Sequence, residues 1–122
     1  MAKRVLVVDD AIFMRAMLKD IFTAAGYEVV GEACHGNEAV ERFKELRPDL
    51  TTMDIVMPLK NGIEATREIL KLDPNARIVM CSALGQESLV TEALQAGASD
   101  FVVKPPRAEE VLHVARRVLG NA

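Results

Sequence analysis

The chain has 122 residues, a length that fits one compact domain and leaves no room for a separate catalytic or DNA-binding module. Its 15 lysines and arginines against 18 aspartates and glutamates give a formal net charge of −3. Because there is no basic excess to neutralise a nucleic-acid backbone, nucleic acid is not an expected partner. The hydrophobic content of 50% is enough for a packed core without disulfides.

The cysteines and histidines give no sign of a disulfide framework or a metal site. Cys34 and Cys81 have no CxxC spacing, so we expect both as reduced core residues of a cytoplasmic protein. His35 and His113 lack partners at metal-ligand spacing and are expected on the surface. No apolar run approaches the roughly 18 residues of a membrane span. We therefore expect a soluble protein with no membrane partner. We also expect a monomer.

Short β-branched runs alternate with longer stretches of helical period, which is typical of repeated βα units. The first and last runs read Val-Leu-Val-Val and Phe-Val-Val without alternation, as in strands covered on both faces. The pattern predicts an α/β fold in one domain over residues 1–122, a (βα)5 doubly wound parallel sheet with the flavodoxin-like strand order 2-1-3-4-5. The predicted strands are Arg4–Asp9, Glu28–Ala33, Leu50–Asp54, Arg77–Cys81 and Asp100–Val103.

The stretches between the strands predict amphipathic helices that end at glycine or before proline. Gly26, Gly97 and Gly120 are expected just past helix ends, and Pro106 suits the first turn of the last helix. The first predicted apolar face comprises Met14, Met17, Leu18, Ile21, Phe22 and Ala25, and the fourth comprises Val90, Ala93, Leu94 and Gly97.

Acidic residues follow two strands that this order makes neighbours. The first strand ends at Asp9 and Asp10, and the third ends at Asp54. Ligands of open α/β sheets bind at the carboxyl ends of the strands, so the three carboxylates should converge there. Since like charges repel, the cluster predicts a bound cation. An all-oxygen ligand set favours Mg²⁺, for which Mn²⁺ could substitute.

Two further strand ends carry groups that bind phosphate oxygens, namely Ser82 and Lys104. A carboxylate can attack a phosphoryl group and form an acyl phosphate. Asp54 is the predicted nucleophile because it alone ends the central strand and precedes a loop with Asn61-Gly62. Asp9 and Asp10 would then serve the ion.

These motifs together resemble those of the receiver domain of two-component response regulators. The resemblance spans nearly the whole chain and is closest to the stand-alone receivers of bacterial chemotaxis. It rests on Val8-Asp9-Asp10, Met53-Asp54-Ile55-Val56-Met57-Pro58, Asn61-Gly62, Ser82-Ala83 and Val103-Lys104-Pro105. The chemotaxis likeness adds Asp10-Ala11-Ile12-Phe13-Met14-Arg15, Thr52-Met53-Asp54-Ile55 and Cys81-Ser82-Ala83-Leu84-Gly85-Gln86.

The resemblance implies that Asp54 accepts a phosphoryl group from a histidine kinase. It implies a switch with self-catalysed phosphotransfer and dephosphorylation and no other enzyme activity. Mg²⁺ would be bound by Asp10, Asp54 and the Val56 carbonyl, with Asp9 acting mainly through water. The Lys104–Pro105 bond would be cis.

The same resemblance implies contacts to the phosphoryl oxygens. They would come from Ser82, Lys104 and the backbone N–H groups of Val56 and Ala83. Val56 and Leu84 would flank the acyl phosphate with apolar side chains. The family switch couples Ser82 to an aromatic residue on the fifth strand, here Phe101.

The implied partners are a histidine kinase, a flagellar motor switch protein and a phosphatase. The target would bind the surface formed by the fourth helix, the fifth strand and the fifth helix. The chain departs from the family pattern at Phe101, which lacks the hydroxyl of tyrosine, and at Pro106, where the family usually has an aromatic residue.

Other functions compatible with the sequence are a phosphorelay intermediate and the receiver domain of a larger regulator. A more distant alternative is a haloacid-dehalogenase-like phosphatase, whose nucleophile ends the first strand and has an acid two residues later. Ala11 stands at that offset from Asp9. A nucleotide or flavin module is disfavoured because neither GxGxxG nor GxxxxGK[ST] occurs.

Overall fold

A computed structural model of the chain describes residues 2–120, in which five strands alternate with five helices. The strands are β1 (Arg4–Val8), β2 (Glu28–Ala33), β3 (Leu50–Asp54), β4 (Ile78–Ser82) and β5 (Asp100–Val103). The helices are α1 (Ile12–Ala24), α2 (Gly36–Leu46), α3 (Gly62–Leu72), α4 (Glu87–Gln95) and α5 (Ala108–Leu119).

The strands form one sheet in the order β2-β1-β3-β4-β5, and every neighbouring pair is parallel. This confirms the predicted α/β flavodoxin-like fold with order 2-1-3-4-5. Because the chain returns through a helix after each strand, all five carboxyl ends lie at the same edge of the sheet.

Two apolar layers cover the sheet, one on each face. Leu6 and Val8 of β1 belong to the layer that includes α2, α3 and α4, whereas Val5 and Val7 belong to the layer of α1 and α5. Successive side chains of a strand point to opposite faces, so a strand between two layers is apolar at every position. The unbroken Val-Leu-Val-Val run is explained by this double burial.

Most predicted helix ends are confirmed, but the prediction that Pro106 lies in the first turn of the last helix is wrong. Gly26, Gly97 and Gly120 have φ values of 90°, 114° and 73°, a left-handed conformation that favours glycine. Pro106 is buried but lies outside α5, which begins at Ala108 after Arg107. The predicted fourth strand is also displaced by one residue, since it begins at Ile78.

Other corrections concern side chains expected in the core or on the surface. Met17 and Leu94 are 38% and 39% exposed, because each lies at the margin of its helix face. Cys34 is half-buried, whereas Cys81 is buried as predicted. His35 is half-buried too, because its ring caps the start of α2 by accepting a hydrogen bond from Glu38 N–H. Within residues 2–120, no helix combines the length and apolarity needed to cross a membrane.

Candidate functional site

The residues predicted to form the site meet at the carboxyl edge of the sheet. Asp9 and Asp10 follow β1, Asp54 ends β3, Ser82 ends β4 and Lys104 follows β5. The strand register explains their proximity. Val8 pairs with Met53, Asp54 with Cys81, and Ser82 with Val103, so that these strands end almost level with one another.

The three aspartates form an acidic cluster. One carboxylate oxygen of each of Asp9, Asp10 and Asp54 lies within 4.8 Å of the others. Asp9 and Asp54 are buried, and Asp10 is exposed at the mouth of the cluster. The expected convergence of carboxylates from β1 and β3 is therefore present.

Lys104 lies between the two buried carboxylates. Its Nζ is 2.9 Å from Asp9 Oδ2 and donates a hydrogen bond of 3.0 Å to Asp54 Oδ1. Burial of the ammonium opposes its charge, but the two carboxylates outweigh this effect and hold the pKa of Lys104 above its usual value. The Lys104–Pro105 bond is cis, as the resemblance implied.

Asp54 is poorly solvated despite its lysine partner. Only 5% of the surface of this residue is exposed. Burial is the largest influence and raises the pKa of Asp54 from 3.8 to about 6, with Asp9 adding repulsion and Lys104 acting in the opposite direction. A cation that enters the cluster relieves this destabilisation of the carboxylate.

Asp9 also organises the turn between β1 and α1, a role that the sequence pattern did not show. Its Oδ1 accepts a hydrogen bond of 2.9 Å from Ala11 N–H, and its backbone carbonyl accepts one of 2.7 Å from Arg15 Nη1. An aspartate followed by a helix could have indicated this turn, because aspartate side chains bond to the backbone two residues on.

Gly62, which the sequence analysis placed in the loop after Asp54, has a packing role that the motif alone did not show. A Cβ at this position would lie 1.9 Å from the Asp54 carbonyl oxygen. Gly62 N–H also donates a hydrogen bond of 2.7 Å to Ile55 O. The start of α3 thus packs directly on the backbone of Asp54, and only glycine permits this approach. Asn61 and Glu64 complete a capping box that fixes the same helix end.

Ser82 and Ala83 lie at the end of β4, beside the acidic cluster. Ser82 is buried, and its carbonyl accepts a hydrogen bond of 2.7 Å from Lys104 N–H. Ala83 N–H, which the resemblance assigned to a phosphoryl oxygen, donates a hydrogen bond of 2.8 Å to Gln86 Oε1. Gln86 therefore occupies a donor that a phosphoryl group would need.

The side chains of Val56 and Leu84 are exposed, at 54% and 85% respectively. Each lies two residues beyond its strand end, Asp54 or Ser82. Apolar side chains that remain in solvent at the mouth of a polar site are available to control the access of water to it.

An apolar groove of about 290 Å³ runs from the site along α4 and β5. Phe101 is 37% exposed and lines this groove together with Ser82. The groove therefore links the strand end of Ser82 to the aromatic side chain on β5. The other apolar lining residues include Leu84, Val90, Leu94 and Val103.

The acidic cluster has the chemistry of a site for a divalent cation. Its ligand atoms are all carboxylate oxygens, which suit hard cations such as Mg²⁺. Asp9 Oδ2 is buried and pairs with the Lys104 ammonium, which also contacts Asp54. One ammonium therefore faces two buried carboxylates, and the remaining negative charge favours a bound metal ion.

Comparison with known proteins assigns the family. The model of the response regulator receiver domain matches residues 5–116. The chain therefore belongs to the response regulator receiver family, and its acidic pocket fits a phosphoacceptor.

Two similar relatives are chemotaxis proteins. The chain is 61% identical to the chemotaxis protein CheY of Thermotoga maritima over 97% of this chain and 98% of that protein. It is 56% identical to CheY of Bacillus subtilis over 98% of this chain and 100% of that protein. These identities support a chemotaxis response regulator.

A solved structure of the CheX–CheY–BeF3–Mg²⁺ complex from Borrelia burgdorferi is also similar. It aligns with a TM-score of 0.91 and 41% identity, covering 95% of this chain and 88% of that chain. Mg²⁺ is thus present in the structure of a relative whose fold matches this one.

Proposed function

We propose that Asp54 accepts a phosphoryl group from the phosphohistidine of a histidine kinase, and that the whole chain, residues 1–122, acts as one receiver domain. One observation carries this proposal. The buried Asp54 carboxylate lies within 4.8 Å of the Asp9 and Asp10 oxygens and accepts a hydrogen bond from Lys104. A reactive carboxylate, an acidic cluster and a cation are the parts that phosphoryl transfer to aspartate requires.

In the transfer, an Asp54 oxygen attacks phosphorus, the phosphorus–nitrogen bond of the donor breaks, and the imidazole leaves as it takes up a proton. Lys104, now paired with Asp9 and Asp54, turns to a phosphoryl oxygen. The Ser82 hydroxyl and the N–H groups of Val56 and Ala83 contact the other oxygens. These contacts stabilise the charge that spreads over the transferring oxygens.

Mg²⁺ is the cofactor of this proposal. Asp10, Asp54 and the Val56 carbonyl would bind it directly, and Asp9 would act mainly through water. When bound, the ion supplies positive charge that neutralises the carboxylates and the phosphoryl oxygens. The Lys104 ammonium is shared by the buried Asp9 and Asp54 carboxylates, so one positive charge faces two negative charges, which supports this assignment. The repulsion from Asp9 that adds to the effect of burial on the pKa of Asp54 points the same way.

The signal passes from Ser82 to Phe101 and on to a target at the surface of α4, β5 and α5. Phe101 is 37% exposed and lines the groove that begins at Ser82, so its inward rotation would reshape that surface. A flagellar motor switch protein is the proposed target. The Borrelia relative was solved with a second protein, CheX, which supports a further partner such as a phosphatase.

The protein so described is a cytoplasmic, monomeric switch with no turnover of free substrates. The net charge of −3 disfavours nucleic acid as a partner. Two CheY relatives match this chain over nearly their whole length, which supports a chemotaxis regulator. Ala11, rather than an acid, follows Asp9 at the offset that the distant phosphatase alternative needs.

A direct test is labelling by a small phosphodonor such as acetyl phosphate in the presence of Mg²⁺, read by intact mass. The wild type should gain one phosphoryl group, and Asp54→Asn should gain none. Asp20→Asn, on the exposed side of α1, is the matched control and should label normally. Acyl phosphate on the Asp54→Asn variant would overturn the assignment.

The target is tested separately with beryllofluoride, which mimics the phosphoryl group. A motor switch protein should be retained by the beryllofluoride-loaded chain and not by the free chain. Normal labelling of Asp54 without this difference would leave the phosphoacceptor intact and remove the motor as the target.

A further inference from the structure

A second group of metal-ligating side chains lies where β2 passes into α2. One ligand atom from each of Cys34, His35 and Glu38 lies within 4.8 Å of the others, and all three residues are half-buried. We propose that this triad binds a borderline divalent cation of the Zn²⁺ type. The proposal is independent of the phosphoacceptor function, because it uses none of the same side chains.

The backbone holds the triad in a closed turn. Cys34 N–H donates a hydrogen bond of 2.8 Å to Glu38 Oε1, and Ala39 N–H donates one of 3.0 Å to His35 O. Gly36 N–H donates one of 2.9 Å to Lys60 O, the same oxygen that a Cβ on Gly36 would approach to 2.2 Å. The turn is therefore fixed both from within and against the loop before α3, which preorganises its side chains.

Each member of the triad has a ligand atom available. His35 Nδ1 accepts a hydrogen bond from Glu38 N–H at 3.2 Å, so its lone pair points toward the first turn of α2. A metal can take this lone pair in exchange for a long hydrogen bond. Glu38 Oε2 forms a long ion pair with Arg42, at 3.9 Å from its Nη2. The Cys34 thiol supplies the sulfur, and the residue forms no disulfide.

The donor set distinguishes this site from the acidic cluster. Sulfur, imidazole nitrogen and carboxylate oxygen are the three donors that Zn²⁺ takes in proteins, whereas Mg²⁺ and Ca²⁺ prefer oxygen alone. A thiolate and a carboxylate balance the two charges of the ion, which offsets the unfavourable position of a cation at the start of a helix. Three protein ligands leave the fourth tetrahedral position for water.

Spacing explains why the triad is absent from the sequence-based expectation. The expectation that His35 lacks metal-binding partners rests on the usual ligand spacings, whereas its partners lie one residue before it and three after it. Neighbouring residues of an extended chain point apart, so Cys-His-x-x-Glu forms a cluster only because the strand turns into a helix between them.

Cobalt binding tests the proposal. Co²⁺ adopts the same ligands as Zn²⁺ and reports a bound thiolate by charge-transfer absorbance in the near ultraviolet. Titration of the reduced, full-length chain should give this band at one equivalent, and Zn²⁺ but not Mg²⁺ should abolish it. Cys34→Ser should eliminate the band. His35→Asn, which keeps a residue able to cap α2, should weaken Co²⁺ affinity by about tenfold or more.

Matched controls separate this site from the rest of the chain. Cys81→Ser removes the buried thiol of β4, and His113→Asn removes the other histidine, so both should retain the wild-type band. Asp54→Asn should retain it as well, even though that variant cannot be phosphorylated. Circular dichroism confirms that each variant is folded.

The proposal is wrong if folded wild-type protein shows no thiolate band, if Cys34→Ser keeps it, or if Cys81→Ser loses it. Displacement of Co²⁺ by Mg²⁺, or equal affinity in His35→Asn, would equally overturn it. Loss of the band in folded Asp54→Asn would also overturn it, because the band would then depend on a side chain outside the triad.

Discussion

Gln86 accepts a hydrogen bond from Ala83 N–H, at 2.8 Å between Oε1 and N. This contact closes the loop between β4 and α4, and it engages a backbone donor that the phosphorylated state is proposed to use. If Asp54 is phosphorylated as proposed, the Ala83 N–H would exchange the Gln86 oxygen for a phosphoryl oxygen. We therefore expect Gln86 to restrain activation.

Gln86→Ala should ease activation because it frees the Ala83 N–H. A net hydrogen bond contributes about 1 kcal/mol, so affinity for beryllofluoride should rise by up to about fivefold. Titration calorimetry in saturating Mg²⁺ measures this change. Ser88→Ala, on the exposed part of the same helix, is the control and should bind like the wild type. A weaker Gln86→Ala complex would show that the side chain supports the active loop instead.

Asp54 should make the metal-free protein less stable as the pH rises. Its pKa is raised from 3.8 to about 6 in the folded state, so the folded chain holds a proton that the unfolded chain has lost. The free energy of unfolding should fall across this interval, by up to about 3 kcal/mol. Urea unfolding between pH 4 and 7 measures the slope.

Asp54→Asn should remove this slope and exceed the wild type in stability at pH 7. Asp20→Asn provides the exposed comparison and should preserve the wild-type slope. Saturating Mg²⁺ should also remove it, because a bound cation lowers the pKa of the carboxylate. A slope that survives in Asp54→Asn would assign the titration to another group.

Lys104→Met should bind Mg²⁺ more tightly yet accept a phosphoryl group more slowly. The ammonium competes with the metal for Asp9 and Asp54, which it contacts at 2.9 and 3.0 Å. Its removal should raise Mg²⁺ affinity by about tenfold, the effect of about 1.4 kcal/mol of lost repulsion. Calorimetric titration with Mg²⁺ gives the affinity, and acetyl phosphate labelling gives the rate. Lys71→Met on the exposed part of α3 should change neither quantity.

Gly62→Ala should destabilise the chain by about 2–4 kcal/mol, because its Cβ would overlap the Asp54 carbonyl oxygen at 1.9 Å. Gly26→Ala is the comparison, since it adds a methyl in a left-handed conformation with no atom within 4 Å. It should lose only about 1 kcal/mol, from backbone strain. Denaturant unfolding of both variants gives the difference, and equal losses would mean that the α3 contact yields easily.

The fold was predictable because its determinants are local and repeated. Apolar runs such as Val5–Val8 mark strands covered on both faces, and glycine marks helix ends at Gly26, Gly97 and Gly120. The convergence of Asp9 and Asp54 then follows from strand order alone. Boundaries were less predictable at Pro106, whose fixed φ suits a helix start but equally suits the extended segment that precedes α5.

The rest of the site depends on contacts that no local pattern encodes. The approach of Gly62 to the Asp54 carbonyl joins two elements through the packing of α3. The pairing of Lys104 with Asp9 joins the ends of β5 and β1, two strands that β3 and β4 separate. The Ala83–Gln86 hydrogen bond depends on the rotamer of the Gln86 side chain. Periodicity and residue spacing do not predict these contacts, because each contact depends on the position of the backbone in three dimensions.

The parallel arrangement also leaves the amino ends of the strands, opposite the acidic cluster, free of the proposed sites. The turns that enter β2, β4 and β5, which contain Gly26, Asn75 and Ser99, are exposed and lie opposite every group assigned to chemistry here. A fluorophore, a surface tether or an inserted peptide attached at Asn75 would leave both proposed ligand sites untouched. The molecule thus offers a ready handle for immobilised or single-molecule assays of its own switching.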